Sequence, residues 1–179
     1  KKSVQELCWD RNRGLYSDTP EKKVFSQHAN IFAILTGLVP REQEKEFVKK
    51  ILNDNDLIQC TFYFRFYLTR ALKKAGLADL YIDQLQPWRT MLNLGLTTFA
   101  EKPEPTRSDC HAWSSSPNYD LLATVCGIEP DSPGFKTVKI RPHFGPLNRI
   151  TGEMPHPNGE ISVQLERNGK TGVKGKITL

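Results

Sequence analysis

A chain of 179 residues, 38% hydrophobic and 25% charged, can bury one ordinary core or one and a half small ones, and its composition is that of a globular protein. It contains no stretch of roughly 18 apolar residues that would read as a membrane-crossing helix, and its basic start, Lys1-Lys2-Ser3, lacks the apolar core of a secretory signal. The net charge of +5 is uneven, with eight Lys/Arg against three Asp/Glu from Lys136 onward and seventeen of each before it. Those later cations alternate with apolar residues, so they read as solvated outer faces of strands. They carry no recognisable nucleic-acid motif, and neither a nucleic acid nor a membrane is expected as a partner.

Taken in order, the chain is helical before about Gly134 and strand-like after it. Its first residues already follow a helical pattern. Segment 24–38 is apolar on most sides (Phe25, Ala29, Ile31, Phe32, Ala33, Ile34, Leu35), and so is 61–75 (Phe62, Tyr63, Phe64, Phe66, Tyr67, Leu68, Ala71, Leu72). Helices of that kind are buried. Between them, 42–53 carries one stripe, Phe47, Val48, Ile51 and Leu52, which predicts a surface helix. A helix over 77–94 follows, with Trp88 on its apolar stripe and so a core residue, and a short one covers 118–125. Gly37 and Gly76 are placed to end the two buried helices. Buried and half-buried helices thus alternate, as in a toroid of α-hairpins, but they make only about half a ring.

The rest reads as short strands over 137–141, 160–166 and 173–179, with turns at Pro157-Asn158-Gly159 and Asn168-Gly169. So few strands need the helical part, or further strands, to cover one face. Both ends read as cut from a longer protein. The four cysteines, Cys8, Cys60, Cys110 and Cys126, match no metal or disulfide framework and read as structural thiols. The four histidines are isolated, so no metal or other cofactor is expected. Asp109-Cys110-His111 is contiguous, which is poor geometry for a nucleophile and its base.

The loops leading into the inner helices of such a toroid gather at one mouth. The richest of them runs from Gly95 to Trp113 and is long and aperiodic, which is the mark of a functional loop. It holds Glu101, Arg107, Asp109, His111 and Trp113. A sugar site needs such a set: a carboxylate for water or leaving group, polar groups for hydroxyls, and an aromatic face for the ring. Glu101 could equally be ion-paired with Arg107 or Lys102, and Trp113 could be a pocket wall or a core residue. His28 and Asn30 lie near the mouth, where capping or packing would also explain them. Ser114-Ser115-Ser116 near Arg107 is a faint anion-site candidate, as a phosphorylase of similar layout would require. A carbohydrate-binding module built on the strands would need exposed aromatics there, and only Phe135 and Phe144 follow Gly134.

Gly95-Leu96-Thr97-Thr98-Phe99-Ala100-Glu101, with Thr106-Arg107-Ser108-Asp109-Cys110-His111-Ala112-Trp113-Ser114 and Pro117-Asn118-Tyr119, resembles the signature of bacterial α-L-rhamnosidases of glycoside hydrolase family 78. Ala71–Gly76, Gln86–Leu92 and Phe25–Asn30 resemble helices of that family, and Gly127–Pro130 with Pro133–Lys136 its passage into a C-terminal sandwich. The resemblance implies a mainly α chain with a β tail: part of an (α/α)6 barrel over 1–130, then strands of a C-terminal β-sandwich domain over 131–179. It implies release of terminal α-L-rhamnose from a glycan or glycoside with inversion, by an exported enzyme, with Glu101 as general base. His111 would bind a sugar hydroxyl, and Trp113, Arg107, Asp109, His28 and Asn30 complete the expected substrate site. The family's general acid lies ahead of the segments matched here, so these residues alone are expected to be inactive.

Overall fold

The computed structural model describes residues 1–169 and 172–179. The chain forms two compact units: Lys1–Leu77 with Gly95–Ser114, and Ala78–Leu94 with Ser115–Leu179.

The first unit begins with α1 (Lys2–Cys8) and a two-residue ladder, β1 (Trp9–Asp10) against β2 (Leu15–Tyr16). The turn between them is held by Asp10, whose carboxylate accepts from the Arg13 N–H at 2.8 Å. Three longer helices follow: α2 (Gln27–Leu35), α3 (Glu44–Asn53) and α4 (Phe62–Lys74). Ser26 caps α2, its hydroxyl oxygen accepting from the Ala29 N–H at 3.3 Å, which satisfies one orphan donor of the first turn. Helices α2 and α4 pack together, and α3 lies against both. Ile31, Ile34 and Leu72 are 0% exposed and Leu68 is 1% exposed; burial of each such side chain is worth about 1.5–3 kcal/mol. As its stripe predicts, α3 buries Phe47, Val48 and Ile51, and it also buries the charged Glu44 of its first turn.

Both glycine stops form as the sequence predicts. Gly37 (φ 68°) and Gly76 (φ 70°) adopt the left-handed conformation. Leu38 donates to the Ala33 carbonyl at 2.8 Å and Gly37 to Ile34 at 3.1 Å; Leu77 and Gly76 do the same to Leu72 and Lys73, at 2.8 and 3.1 Å. These are Schellman closures that satisfy the last carbonyls of α2 and α4. Beside the first, the Lys74 ammonium binds both the Ile34 carbonyl and the Glu44 carboxylate, whose side chain is 4% exposed. A cation at a helix C-terminus is favoured by the dipole, and here it also neutralises a buried acid.

Two expectations fail in this unit. Phe32 and Tyr63, assigned to wholly buried helices, are 44% and 45% exposed. An all-apolar surface signals burial only when every face meets a partner. Within this unit these faces pack on other aromatic rings and remain open outside.

The second unit starts where a single helix over 77–94 was predicted. The chain instead makes two 3₁₀ turns, Ala78–Leu80 and Ile82–Leu85, and then α5 (Gln86–Asn93). Pro87 is the reason: it has no N–H to give and is tolerated only in a first turn, so the α-helix begins there. Trp88 is 9% exposed, as its place on the apolar stripe predicts. The predicted helix over 118–125 divides into α6 (Ser116–Asp120), with Pro117 in its first turn, and a π turn over Leu121–Val125.

Two antiparallel sheets follow. One pairs β3 (Ile128–Pro130) with β4 (Val138–Ile140). The other is a meander of β5 (Arg149–His156), β6 (Gly159–Asn168) and β7 (Gly172–Thr178). The His156↔Gly159 register leaves Pro157-Asn158 as a two-residue loop, where a turn was predicted. Strand β5 was not predicted because Gly152 and Pro155 interrupt its alternation. Ile150, Ile161, Val163 and Leu165 form the inner face, and Tyr81, Val125, Cys126, Ile128 and Phe144 cover it. Helical turns therefore supply the cover that so few strands need. They come close: a Cβ on Gly152 would stand 2.5 Å from the Cys126 Sγ and 3.2 Å from Leu122 Cδ2. Gly152→Ala is expected to destabilise this unit by about 1–3 kcal/mol through overpacking, read as a lower urea midpoint at unchanged m value; an unchanged midpoint would contradict the packing described.

Candidate functional site

The segment from Gly95 to Ser114 belongs to the first unit. It doubles back on itself: Glu101 donates its N–H to the Ser108 carbonyl at 2.9 Å, and His111 donates to Phe99 at 2.7 Å. The Thr98 hydroxyl closes on the Asp109 carbonyl between the same two limbs. Ala100 is 3% exposed and anchors the first limb. The tip is turned by Pro103 and Pro105, and the Thr106 hydroxyl donates to Ser108 at 3.0 Å.

Across these limbs Arg107 meets Glu101 side-on. Arg107 Nε donates to Oε2 and Nη2 to Oε1, both at 2.6 Å. The Glu101 side chain is 14% exposed and that of Arg107 is 78% exposed. Such a fork is the strongest common way to hold a carboxylate. The Arg107 hydrogen bonds hold Glu101 below the ordinary glutamate range; burial works the other way, and the charges of Arg107, His111 and Lys102 add to the lowering. The ion pair named as an alternative for Glu101 is therefore formed with Arg107, while Lys102 contributes only its field.

His111 and Trp113 continue the loop onto α4. The His111 ring lies 4.5 Å from Trp113, and Trp113 lies 5.4 Å from Tyr63. Tyr63 and Tyr67, one turn apart, meet edge-on at 6.2 Å. The rings run on to α2, with Phe32 at 5.4 Å from Tyr67 and 5.1 Å from Phe64, and His28 at 4.3 Å from Phe64. The result is an aromatic face with an imidazole at each end, on which Phe32, Tyr63 and Trp113 are 44%, 45% and 56% exposed. Within these residues Trp113 is not buried. Burial lowers the His28 pKa against an opposing pull from Asp18, so at neutral pH its imidazole offers one donor and one acceptor.

Asn30 does not belong to this set. It is 0% exposed, and its amide is engaged by backbone: Oδ1 accepts from Tyr16 N–H at 2.8 Å, and Nδ2 donates to the Tyr16 and Ser26 carbonyls at 2.9 and 2.8 Å. It ties β2 to α2. Asp109 is exposed on the second limb of the loop. Ser114 is 0% exposed in a short turn packed on α4, so the triple-serine segment forms no open anion loop. The described cysteines are all free thiols; Cys60 is buried, which pushes its pKa up to about 11. Among the described residues no group of three or more His, Cys, Asp or Glu could hold a metal, and no helix is long and apolar enough to cross a membrane. Sequence reasoning missed Phe32, Tyr63 and Tyr67 as site residues. The available signal was Tyr63 and Tyr67 at i, i+4, two hydroxyl-bearing rings on one face of a helix.

An open aromatic face beside an ionised carboxylate and two imidazoles suits a carbohydrate, and the known proteins that this chain is similar to are rhamnosidases. Residues 127–179 match the bacterial alpha-L-rhamnosidase C-terminal domain. The crystal structure of the GH78 family rhamnosidase of Bacillus sp. GL1 superposes with a TM-score of 0.85 at 26% identity, over 98% of this chain and 20% of that one. A rhamnosidase from Klebsiella oxytoca with rhamnose bound shares the fold over 67% of this chain and 26% of its own (TM-score 0.60, 24% identity). So does the Streptomyces avermitilis alpha-L-rhamnosidase complexed with L-rhamnose, over 94% and 18% (TM-score 0.66, 18% identity). No curated protein sequence matches the chain. Over nearly its whole length the chain is thus similar in fold to a GH78 family rhamnosidase, and it spans about a fifth of the length of that Bacillus enzyme.

Asn30→Ala would leave three buried backbone groups without their partner. It is expected to cost about 3 kcal/mol or more in stability, measured by chemical denaturation; a loss below about 1 kcal/mol would argue against this structural role.

Proposed function

We propose that this chain is part of an enzyme that releases terminal α-L-rhamnose from a glycan or glycoside with inversion of configuration, and that Glu101 is its general base. The observation that carries the reading is the Glu101 carboxylate, held ionised on a narrow loop whose second limb brings His111 and Trp113 onto the aromatic face. A general base must be ionised to accept a proton. In the proposed step Glu101 takes a proton from water as the water oxygen bonds to the anomeric carbon. The glycosidic bond breaks on the opposite face, and a second carboxyl group protonates the leaving oxygen. Trp113 and Tyr63 offer ring faces to the apolar side of the sugar, and His111, Asp109 and His28 offer partners to its hydroxyls.

The helices fit half of an (α/α)6 barrel over 1–130, with α2 and α4 in the inner ring and α3 in the outer. Two observations support this: the packing of α2 directly on α4 with α3 against both, and the aromatic face left open on the inner pair. Residues 131–179 then belong to a C-terminal β-sandwich domain. The second carboxyl group stands about 6.5–9.5 Å from the base in inverting enzymes. The family resemblance puts it ahead of Lys1, so these 179 residues by themselves are proposed to turn over nothing.

In the full-length protein that carries this chain, Glu101→Gln should lower kcat/KM on an aryl α-L-rhamnoside by roughly 10²–10⁴-fold, and the first sugar seen by NMR should be the β-anomer. Near wild-type turnover by the variant would remove Glu101 from the mechanism. Trp113→Ala in the same protein should raise KM with little loss of fold stability, since its ring is half open; an unchanged KM would exclude Trp113 from the sugar site. Clear turnover by the 179 residues alone would refute the need for an outside acid.

A further inference from the structure

The two N–H groups of Arg107 occupy one acceptor position on each oxygen of Glu101, both at 2.6 Å. A carboxylate offers about four such positions, so each oxygen keeps one for another donor. Arg107 sits on the opposite limb of the loop from Glu101, next to the Ser108 carbonyl that receives the Glu101 N–H at 2.9 Å. Main chain and side chain of Glu101 are therefore both fixed across the loop by two adjacent residues. Without the fork the carboxylate could rotate about its last side-chain bond, a torsion with a broad, shallow profile.

We propose that Arg107 is a positioning residue for this base: its guanidinium sets the plane of the Glu101 carboxylate and keeps it charged, while the free acceptor position on each oxygen is left for the nucleophilic water. The proposal rests on the reading of Glu101 as general base, but its physical half, control of orientation and charge, can be tested apart from it. The groups that bear on Glu101 are Arg107 by hydrogen bond and charge, His111 and Lys102 by charge, and burial, which opposes them. A group whose pKa is depressed in the folded state is ionised above that lowered value and loses its charge as the pH falls through it. Removing the fork therefore brings protonation on at a higher pH. With the fork present, the loop's ion pair is intact at neutral pH and is lost only as the pH falls through the lowered Glu101 pKa.

The first measurement is direct. In the 179-residue chain, the side-chain carboxyl ¹³C resonance of Glu101 is followed against pH in the parent sequence and in Arg107→Met, Arg107→Lys and Lys102→Met. The expected order has the largest upward shift of the midpoint in Arg107→Met and a smaller one in Arg107→Lys, which keeps the charge without the fork. Lys102→Met, which removes charge alone, should shift least. Arg107 is mostly exposed, so none of these changes should unfold the chain. An unmoved midpoint in Arg107→Met, or an equal shift in Lys102→Met, would overturn the proposal.

The second measurement uses the full-length enzyme. Arg107→Met should lower kcat by about 10- to 100-fold, the scale of a misplaced catalytic group, with KM little changed. It should also move the acid limb of the kcat/KM profile to higher pH, and Arg107→Lys should restore part of the limb but not all of kcat. A loss confined to KM, or an acid limb that stays in place, would make Arg107 a substrate ligand and not a positioning residue. If Glu101→Gln keeps full activity while the carbon titration shows the expected order, the reading of Glu101 as base falls and the electrostatic control stands.

Discussion

The first unit depends on the contact of α2 with α4. Ile31 and Ile34 from one helix and Leu68 and Leu72 from the other are fully buried, and the turns that end both helices are closed by the same hydrogen-bond pattern at Gly37 and Gly76. The aromatic rings follow from that contact. Phe32 can reach Phe64 and Tyr67 only because the two helices lie side by side. Trp113 then packs on Tyr63 and brings His111 with it. The loop that carries Glu101 is thus seated on a surface made by two helices distant from it in sequence.

The sequence showed some of this plainly and hid the rest for physical reasons. The stripe of α3, the glycine stops and the Pro157-Asn158 turn depend on local rules and are legible one segment at a time. The break in 77–94 was also local, since Pro87 cannot lie inside a helix, but the apolar stripe running through it carried the longer reading. Strand β5 was hidden because Gly152 is there for the helical turn above it, a demand made by tertiary packing. The open faces of Phe32 and Tyr63 could not be read at all, because exposure depends on which surfaces have a neighbour.

For the site, residue types pointed to the loop, and geometry sorted them. Asn30 lies one helical turn from Ser26 and is fully engaged with backbone, whereas His28, two positions earlier, has its ring on the aromatic face. Pattern cannot separate two polar residues on the same first turn. Their directions can, because positions two apart on a helix face different ways. Arg107 shows a related limit: the sequence offered an ion pair and a catalytic carboxylate as rival accounts of Glu101. The fork at 2.6 Å establishes the ion pair, and under the proposed function the same carboxylate would also serve as the base.

Each compact unit is assembled from two separate stretches of chain, with junctions after Leu77, Leu94 and Ser114. No single continuous stretch can therefore be excised as either unit. A truncation at residue 94 would strip the first unit of its loop and the second of its sheets. During synthesis neither unit can close before the ribosome has released residue 114, so their maturation is interleaved and not sequential. Recombination between relatives would have to exchange both stretches of a unit together, which ties the inheritance of the helical face to that of the loop seated on it.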